Sequence, residues 1–346
     1  MRIAVHGASG FTGSLIVAEL VRRDLTPVLV GRDAQRLRRV AERSGAPEAE
    51  IRVATLDDID ALAAAFTDCD AVLNAAGPFT LWGEPVVRAA LAARRPYLDT
   101  TGEPAYLQKI LTTYDEPAKQ AGIAVIPGVT DDGVPGDLIA ALAAARLDAP
   151  ITEIRLADLR RPGAASRGTA RSMAAIVVLD QVEYRDRSWQ PVDGHALTIA
   201  EPGETEPVPV TALALPGVYT IPRHIDTPNV RGLIRAEVGE LFAGLSGEVA
   251  ESIPEIPDPA ELAASRWMML AEAIAADGSR ARGWVTGFDA YTSTAIIAVE
   301  AARRLVADGS PAGTLAPAQA FDAASFLDRL ALSGVKWQVE ELPARN

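Results

Sequence analysis

Eight residues, His6-Gly7-Ala8-Ser9-Gly10-Phe11-Thr12-Gly13, constrain what this chain can fold into more than any other stretch. They stand between the apolar run Arg2-Ile3-Ala4-Val5 and a helical pattern of Leu15, Ile16, Ala18, Glu19 and Leu20. The local reading is strand, glycine turn, helix. So tight a turn needs residues without a β-carbon penalty, and backbone that passes close to a pyrophosphate cannot carry side chains there. Gly7, Gly10 and Gly13 meet both needs. The helix that follows offers unpaired N–H groups and the positive end of its dipole to an anion, with the Ser9 and Thr12 hydroxyls as further donors. An ordinary glycine-rich turn would share the GxxGxxG spacing, so context decides. A second apolar strand, Pro27-Val28-Leu29-Val30, ends in Gly31-Arg32 about twenty residues later, where a ribose selector belongs. We therefore expect a dinucleotide-phosphate loop contacted through Gly7, Ser9, Gly10, Phe11, Thr12 and Gly13.

From residue 1 to about 150 the pattern is strand then helix, repeated, with strands expected at 2–6, 27–31, 51–54, 71–75, 97–100 and 123–127. Their continuous apolar character predicts a parallel sheet covered on both faces, a doubly wound Rossmann domain. An acidic residue at the end of the second strand would hold the ribose hydroxyls of NAD and repel a 2′-phosphate; Arg32 in that place predicts NADPH. Asp33 is explained as the cap of the next helix, and Arg36 one turn on either assists Arg32 or is solvated surface. Asp57 stands where a carboxylate meets an adenine edge, or else it caps the following helix. Asn74, Gly77, Pro78 and Phe79 follow the fourth strand at the carboxyl edge of the sheet, where a ligand crossing the topological switch point passes.

At 346 residues the chain has room for two domains. Charged residues make up 23 % and hydrophobic residues 49 %, and no apolar run reaches the roughly 18 residues that cross a bilayer. The first residues form a core strand with no basic leader, and one cysteine, Cys69, fits a reducing compartment; a cytoplasmic protein is the expectation. A net charge of −13 argues against nucleic acid or an anionic membrane as partner. His6, His195 and His224 are far apart and no HExxH or CxxC occurs, so no metal site is expected.

From 151 to 307 we expect a second, α+β domain on a mixed or antiparallel sheet, with the first domain completed by C-terminal helices over 308–346. Alternation marks a strand at 151–159, a helix at 166–181, an irregular proline- and glycine-rich insert at 182–227 with short strands near 196–200 and 208–213, and a hairpin turning at Asp277-Gly278 within 265–288. Helices are expected at 290–307, with Ile296, Ile297, Val299 and Leu305 in the core, and at 317–332, ending at Gly334. The paired strands leave a face that must be covered, which predicts a homodimer.

At Asn74–Phe79 followed by Gly83-Glu84-Pro85-Val86-Val87 and Tyr97-Leu98-Asp99-Thr100-Thr101-Gly102-Glu103, the chain resembles the saccharopine dehydrogenase-like reductases. Gly128-Val129-Thr130-Asp131-Asp132-Gly133-Val134-Pro135-Gly136-Asp137-Leu138 is similar to that family's GFDSVPSDL element with one residue inserted, and Gly168–Met173 to its GGT-xxS-M segment. The resemblance covers most of the chain and lies nearer the trans-acting enoyl reductases than true saccharopine dehydrogenases. It implies hydride transfer from NADPH to a C=C or C=N bond of a small or carrier-linked substrate. Topology adds Gly102 to the cofactor contacts and makes Glu103, Tyr106, Asp131, Asp132 and Asp137 the candidate proton donors, since all follow strands five and six at the carboxyl edge. Two other readings stay open: an amino-acid dehydrogenase of the saccharopine type, for which Arg160, Arg161, Arg167 and Arg171 would bind substrate carboxylates, and a non-catalytic NADPH-binding sensor or scaffold.

Overall fold

The computed structural model describes residues 1–177, 181–192 and 197–343. The end of the expected helix 166–181, His195, the first residue of the expected strand 196–200 and residues 344–346 lie outside the described residues. The chain divides into two units, Met1–Thr130 with Tyr291–Leu315, and Asp131–Ala290 with Ala316–Asn346.

In the first unit six strands follow the expected order: β1 (Arg2–His6), β2 (Thr26–Gly31), β3 (Glu50–Val53), β4 (Ala71–Asn74), β5 (Tyr97–Asp99) and β6 (Ala124–Ile126). Each pairs in parallel with its neighbours. Consecutive residues such as Ile3, Ala4 and Val5, or Val28, Leu29 and Val30, are buried on both faces of the sheet. That burial explains an unbroken apolar run in place of alternation. The strand order reverses between β1 and β4, which makes a topological switch point at the carboxyl ends of those two strands. Helix Ala290–Asp308 returns to this unit, with Ile296, Ile297, Val299 and Leu305 buried. Its Glu300 carboxylate accepts from Arg23, Arg303 and Arg304 at 2.6–2.8 Å, tying it to helix Phe11–Arg22.

The second unit holds β7 (Ile151–Asp158), β8 (Val182–Arg185), β9 (Ser188–Pro191), β10 (Leu197–Ile199), β11 (Val208–Ala212), β12 (Val230–Arg235), β13 (Arg266–Ala275) and β14 (Arg280–Phe288). The sheet is mixed: β12 and β7 run parallel, and the other pairs are antiparallel. The hairpin at Asp277-Gly278 is present, with Gly278 at φ +84. The insert is more regular than its composition implies. Its β8–β9 hairpin turns on Asp186 and Arg187, both at positive φ, the geometry of a two-residue type I′ turn without its usual glycine. Two late strands divide between the sheets: β15 (Gly313–Thr314) pairs in parallel with β6, and β16 (Lys336–Leu342) pairs antiparallel with β14.

The tail corrects the sequence reading. The expected helix 317–332 is two helices, Pro317–Ala320 and Ala323–Ala331, because Asp322 turns out of the first to cap the second through Ser325 N (2.8 Å). The helices expected over 308–346 as a completion of the first domain give way to β15 in the first unit and, from Ala316, to elements of the second. The alternation of Lys-Trp-Gln-Val-Glu could become a strand only where β14 offered an open edge, a partner that lies about fifty residues upstream in the sequence.

Candidate active site

The glycine loop joins β1 to helix Phe11–Arg22 at the switch point. Gly7 has φ +75, and a β-carbon on it would lie 2.8 Å from Ala76 Cβ, in the loop that follows β4. One on Gly13 would lie 2.3 Å from Gly7 O. Only glycine fits either position. The turn closes through Gly10 N to Gly7 O (3.0 Å), and Gly10 is the N-cap without any side-chain cap or acidic residue in the first turn. The amides of that turn are left to an anion. Phe11 packs edge-to-face on Tyr291 at 5.1 Å, which fixes the start of the helix.

At the end of β2, Asp33 is the helix cap expected of it, accepting from Gln35 N and Arg36 N at 2.9 Å. Arg36 reaches back to Ser9 O (3.4 Å), so its guanidinium lies against the glycine loop, while Arg32 is exposed and has no hydrogen-bond or ion-pair partner among the described residues. A permanent cation against Ser9, with a second one exposed just after β2, fits a 2′-phosphate. The capping role open to the Asp57-Asp58 pair falls to Asp58, which accepts from Ala61 N. Asp57 is exposed, and a bond from the Thr55 side chain holds its carboxyl below the ordinary range.

Asn74 is a correction. Its side chain is fully buried and used within the protein: Oδ1 accepts from His6 Nδ1 (2.9 Å) and Ala76 N (3.1 Å), and Nδ2 donates to the Tyr97 hydroxyl (3.0 Å). Tyr97 donates in turn to Asp99 Oδ2 (3.0 Å) and meets the Tyr106 hydroxyl at 3.0 Å; Asp99 Oδ1 accepts from Thr101 N and Gly128 N, both 3.1 Å. One buried network thus ties together the carboxyl ends of β1, β4, β5 and β6. Burial outweighs these bonds and pushes Asp99 up to about 6, and burial likewise lowers His6, keeping it neutral. Tyr106, expected as a candidate acid, is a member of this network, buried against Phe79 and against Gly83, where a β-carbon would come within 2.5 Å of its ring. Burial pushes its hydroxyl well above the ordinary tyrosine range. Tyr97 and Asp99 are two apart in a strand and so share a face, a signal that the sequence reading passed over.

Glu103 is also buried, and its carboxylate sits on the N-terminus of helix Phe79–Ala93, accepting from Phe79 N (2.7 Å), Thr80 N (2.7 Å) and Thr80 Oγ1 (2.6 Å). This bond set gathers the Pro78–Phe79 loop and Thr101–Glu103 at one edge. A β-carbon on Gly102 would meet nothing within 4 Å, so that backbone is open to a ligand.

The remaining candidates lie in the second unit. Asp131 is buried and accepts from Arg160 Nη2 (3.1 Å); Arg160 also holds Asp158 through Nε (2.5 Å). Asp137, inside helix Gly133–Ala144, accepts from Thr220 Oγ1 (2.6 Å), His224 Nε2 (3.0 Å) and Ala318 N (2.8 Å). Burial lowers His224, but Asp137 outweighs it and raises the imidazole above its ordinary value. Sequence reasoning missed this pair because 87 residues separate its members. The four arginines expected as a carboxylate clamp are each engaged elsewhere: Arg160 as above, Arg161 with Glu204 (2.7 Å), Arg167 with Ile253 O (2.8 Å) and Arg171 with Glu251 (2.6 Å).

A parallel sheet with a glycine loop at its switch point and cations after its second strand defines a dinucleotide-binding Rossmann domain. Residues 3–126 match the saccharopine dehydrogenase NADP binding domain. That match indicates NADP(H) as the cofactor of the first unit. Among relatives, a lipid droplet localized protein of Caenorhabditis elegans is 34% identical over 146 residues, 39% of this chain and 34% of that protein. A human saccharopine dehydrogenase-like oxidoreductase is 31% identical over 155 residues, 39% and 35% of the two chains. A Mycobacterium tuberculosis protein named as a trans-acting enoyl reductase is 32% identical over 183 residues, 51% and 44%. The match spans about a third of the length of the first two relatives and under half of the third. In fold, the whole chain is similar to saccharopine dehydrogenase (L-Glu forming) from Saccharomyces cerevisiae, with a TM-score of 0.64 at 14% identity over 99% of this chain and 100% of that one. No helix among the described residues is long and apolar enough to cross a membrane, and no group of three or more metal-ligating side chains occurs among them.

Proposed function

We propose that this protein is an NADPH-dependent reductase that delivers hydride to a C=C bond of an enoyl substrate, small or carrier-linked, with a C=N bond as the alternative acceptor. The cofactor, when bound, supplies the hydride; the protein supplies orientation, an apolar surround and a proton. Gly7, Ser9, Gly10, Phe11, Thr12 and Gly13 would hold its phosphates, Arg32 and Arg36 its 2′-phosphate, Asp57 its adenosine end, and the backbone at Gly77–Phe79 and Gly102 its nicotinamide end.

The observation that carries this reading over an amino-acid dehydrogenase is the state of Arg160, Arg161, Arg167 and Arg171. A substrate with two or three carboxylates wants free guanidinium groups converging on it, and each of these four already serves a carboxylate or a carbonyl. The similarity to the protein named as an enoyl reductase supports the same choice. Glu103, Tyr106, Asp131 and Asp137 stay the candidate proton donors; each already has a partner within the protein, so loss of turnover in the single variants decides among them. The proposal includes a cytoplasmic homodimer, supported by the exposed apolar side chains Leu241, Val249 and Ile256 on the second unit.

The test is loss of NADPH absorbance with a panel of short enoyl thioesters, cyclic imines, and an oxo acid with an amino acid. Consumption with an enoyl thioester and incorporation of the cofactor hydrogen at carbon is the expected result. Turnover confined to the amino acid and oxo acid pair would establish the saccharopine-type reading, and no turnover with any member would leave the sensor.

A further inference from the structure

A cleft of about 340 Å³ opens on the second sheet and is lined entirely by residues of the second unit. Register builds it. Met268 pairs with Thr286 and Thr286 with Lys336, while Arg266 pairs with Phe288 on the next rung of the same face. Directly paired side chains of antiparallel strands stand together on one face, so these five are neighbours. The segment after β7 runs beside them, through Leu159 N to Met268 O (2.8 Å) and Arg161 N to Arg266 O (3.4 Å). The result is an apolar floor of Leu159, Met268 and Phe288 under three cations, Arg161, Arg266 and Lys336. The Phe288 ring is 40% exposed and rests on Gly334 at φ +88, where a β-carbon would stand 2.7 Å away.

The cations are incompletely matched. Glu201 is the carboxylate lining the cleft, and Arg235 already holds it. Arg161 gives one amino group to Glu204 at 2.7 Å. Arg266 spends Nη1 on the carbonyls of Ala263 and Ser265, at 2.9 and 2.7 Å. The Lys336 ammonium has no hydrogen-bond or ion-pair partner among the described residues. In a chain of net charge −13, Lys336 and the rest of the Arg266 guanidinium beside an apolar floor point to an acidic ligand with an apolar body. The volume falls in the range of small-molecule sites, which are mostly apolar with a few placed polar groups.

We propose that this cleft binds a small anionic amphiphile, a carboxylate or phosphate head on an acyl chain, with the head on Lys336 and on the Nε and Nη2 groups of Arg266, and the chain on Met268, Leu159 and Phe288. The site stands apart from the NADPH reading and does not depend on it. The test is calorimetric titration of the full-length protein with octanoate, octyl phosphate and octanol. At least one of the two anions should bind saturably with one site per chain, and octanol at least tenfold more weakly. The tighter of the two anions identifies the head group. Lys336→Glu should weaken the anion at least tenfold and Lys336→Gln by less, with NADPH affinity and the urea midpoint as in wild type, because Lys336 is an exposed strand residue. Equal affinity for octanol and the anions, anion binding unchanged in Lys336→Glu, or no saturable binding of either anion would overturn the proposal.

Discussion

Replacing Glu103 by glutamine separates a structural carboxylate from a catalytic one. The carboxylate accepts three short bonds, two from the backbone N–H groups of Phe79 and Thr80 that open a helix and one from the Thr80 hydroxyl. Bonds to a charged acceptor contribute about 1.5–3 kcal/mol each against about 1 for neutral ones. The glutamine oxygen keeps one N–H, but its amide nitrogen must face the other, donor against donor, and a buried unsatisfied N–H costs about 1–3 kcal/mol. Adding a share of the helix-dipole interaction, the expected loss is about 3–4 kcal/mol. Urea unfolding of Glu103→Gln should show it as a lower midpoint with an unchanged slope. A midpoint within about 0.5 kcal/mol of wild type, together with a fall in turnover of roughly 10²–10⁴, would refute the structural assignment and return Glu103 to the role of acid.

Three further outcomes follow from the buried groups and the loop. Asp99 is raised by burial to about 6, so its folded form holds the proton more tightly than the unfolded chain; the stability it contributes is present below about pH 4 and is lost as pH rises through 6, by about 3 kcal/mol. Asp99→Asn should flatten the stability profile between those limits, and an unchanged slope by thermal or urea unfolding would contradict it. Burial would raise Glu300, but Arg303, Arg304 and Arg23 hold it down at about 2, so its contribution is present above about pH 4.5 and is lost as pH falls toward 2. Glu300→Gln strands those guanidinium groups and should cost about 3–5 kcal/mol at neutral pH by urea unfolding; a loss under 1 would show that solvent screens the cluster. Gly13→Ala sets a β-carbon 2.3 Å from Gly7 O and should lower NADPH affinity by at least tenfold in a fluorescence titration, whereas wild-type affinity would mean that the loop yields.

The first domain was legible because its signals are local. A glycine turn after an apolar strand, Arg32 at the end of the next strand and Asp33 as a cap all act within a few residues of where they stand. What escaped depended on distant partners. β15 is two residues long and carries no periodicity, yet it completes the first sheet on β6. β16 exists because β14 leaves an edge to pair with. β12, a central strand, carries Gly232 where a β-carbon would sit 2.2 Å from Leu213 O, a close packing that reads in sequence as a break. The candidate site divides in the same way. Its phosphate loop is written in consecutive residues, whereas the roles of Asn74, Glu103, Tyr106 and Asp137 are set by atoms 9 to 181 positions away, which turned expected ligand contacts and acids into buried structural groups.

The most direct test of the account is the ratio of NADPH to NADH dissociation constants in wild type and in Arg32→Glu, measured by calorimetric titration at fixed ionic strength. A charge-assisted contact to the 2′-phosphate contributes about 1.5–3 kcal/mol, one to two decades in affinity. Wild type should prefer NADPH by at least tenfold, and Arg32→Glu should abolish or reverse that preference with NADH affinity little changed. Equal affinity for the two cofactors in wild type, or a preference that survives Arg32→Glu, would contradict the assignment of the cations after the second strand, and with it the site built around the glycine loop.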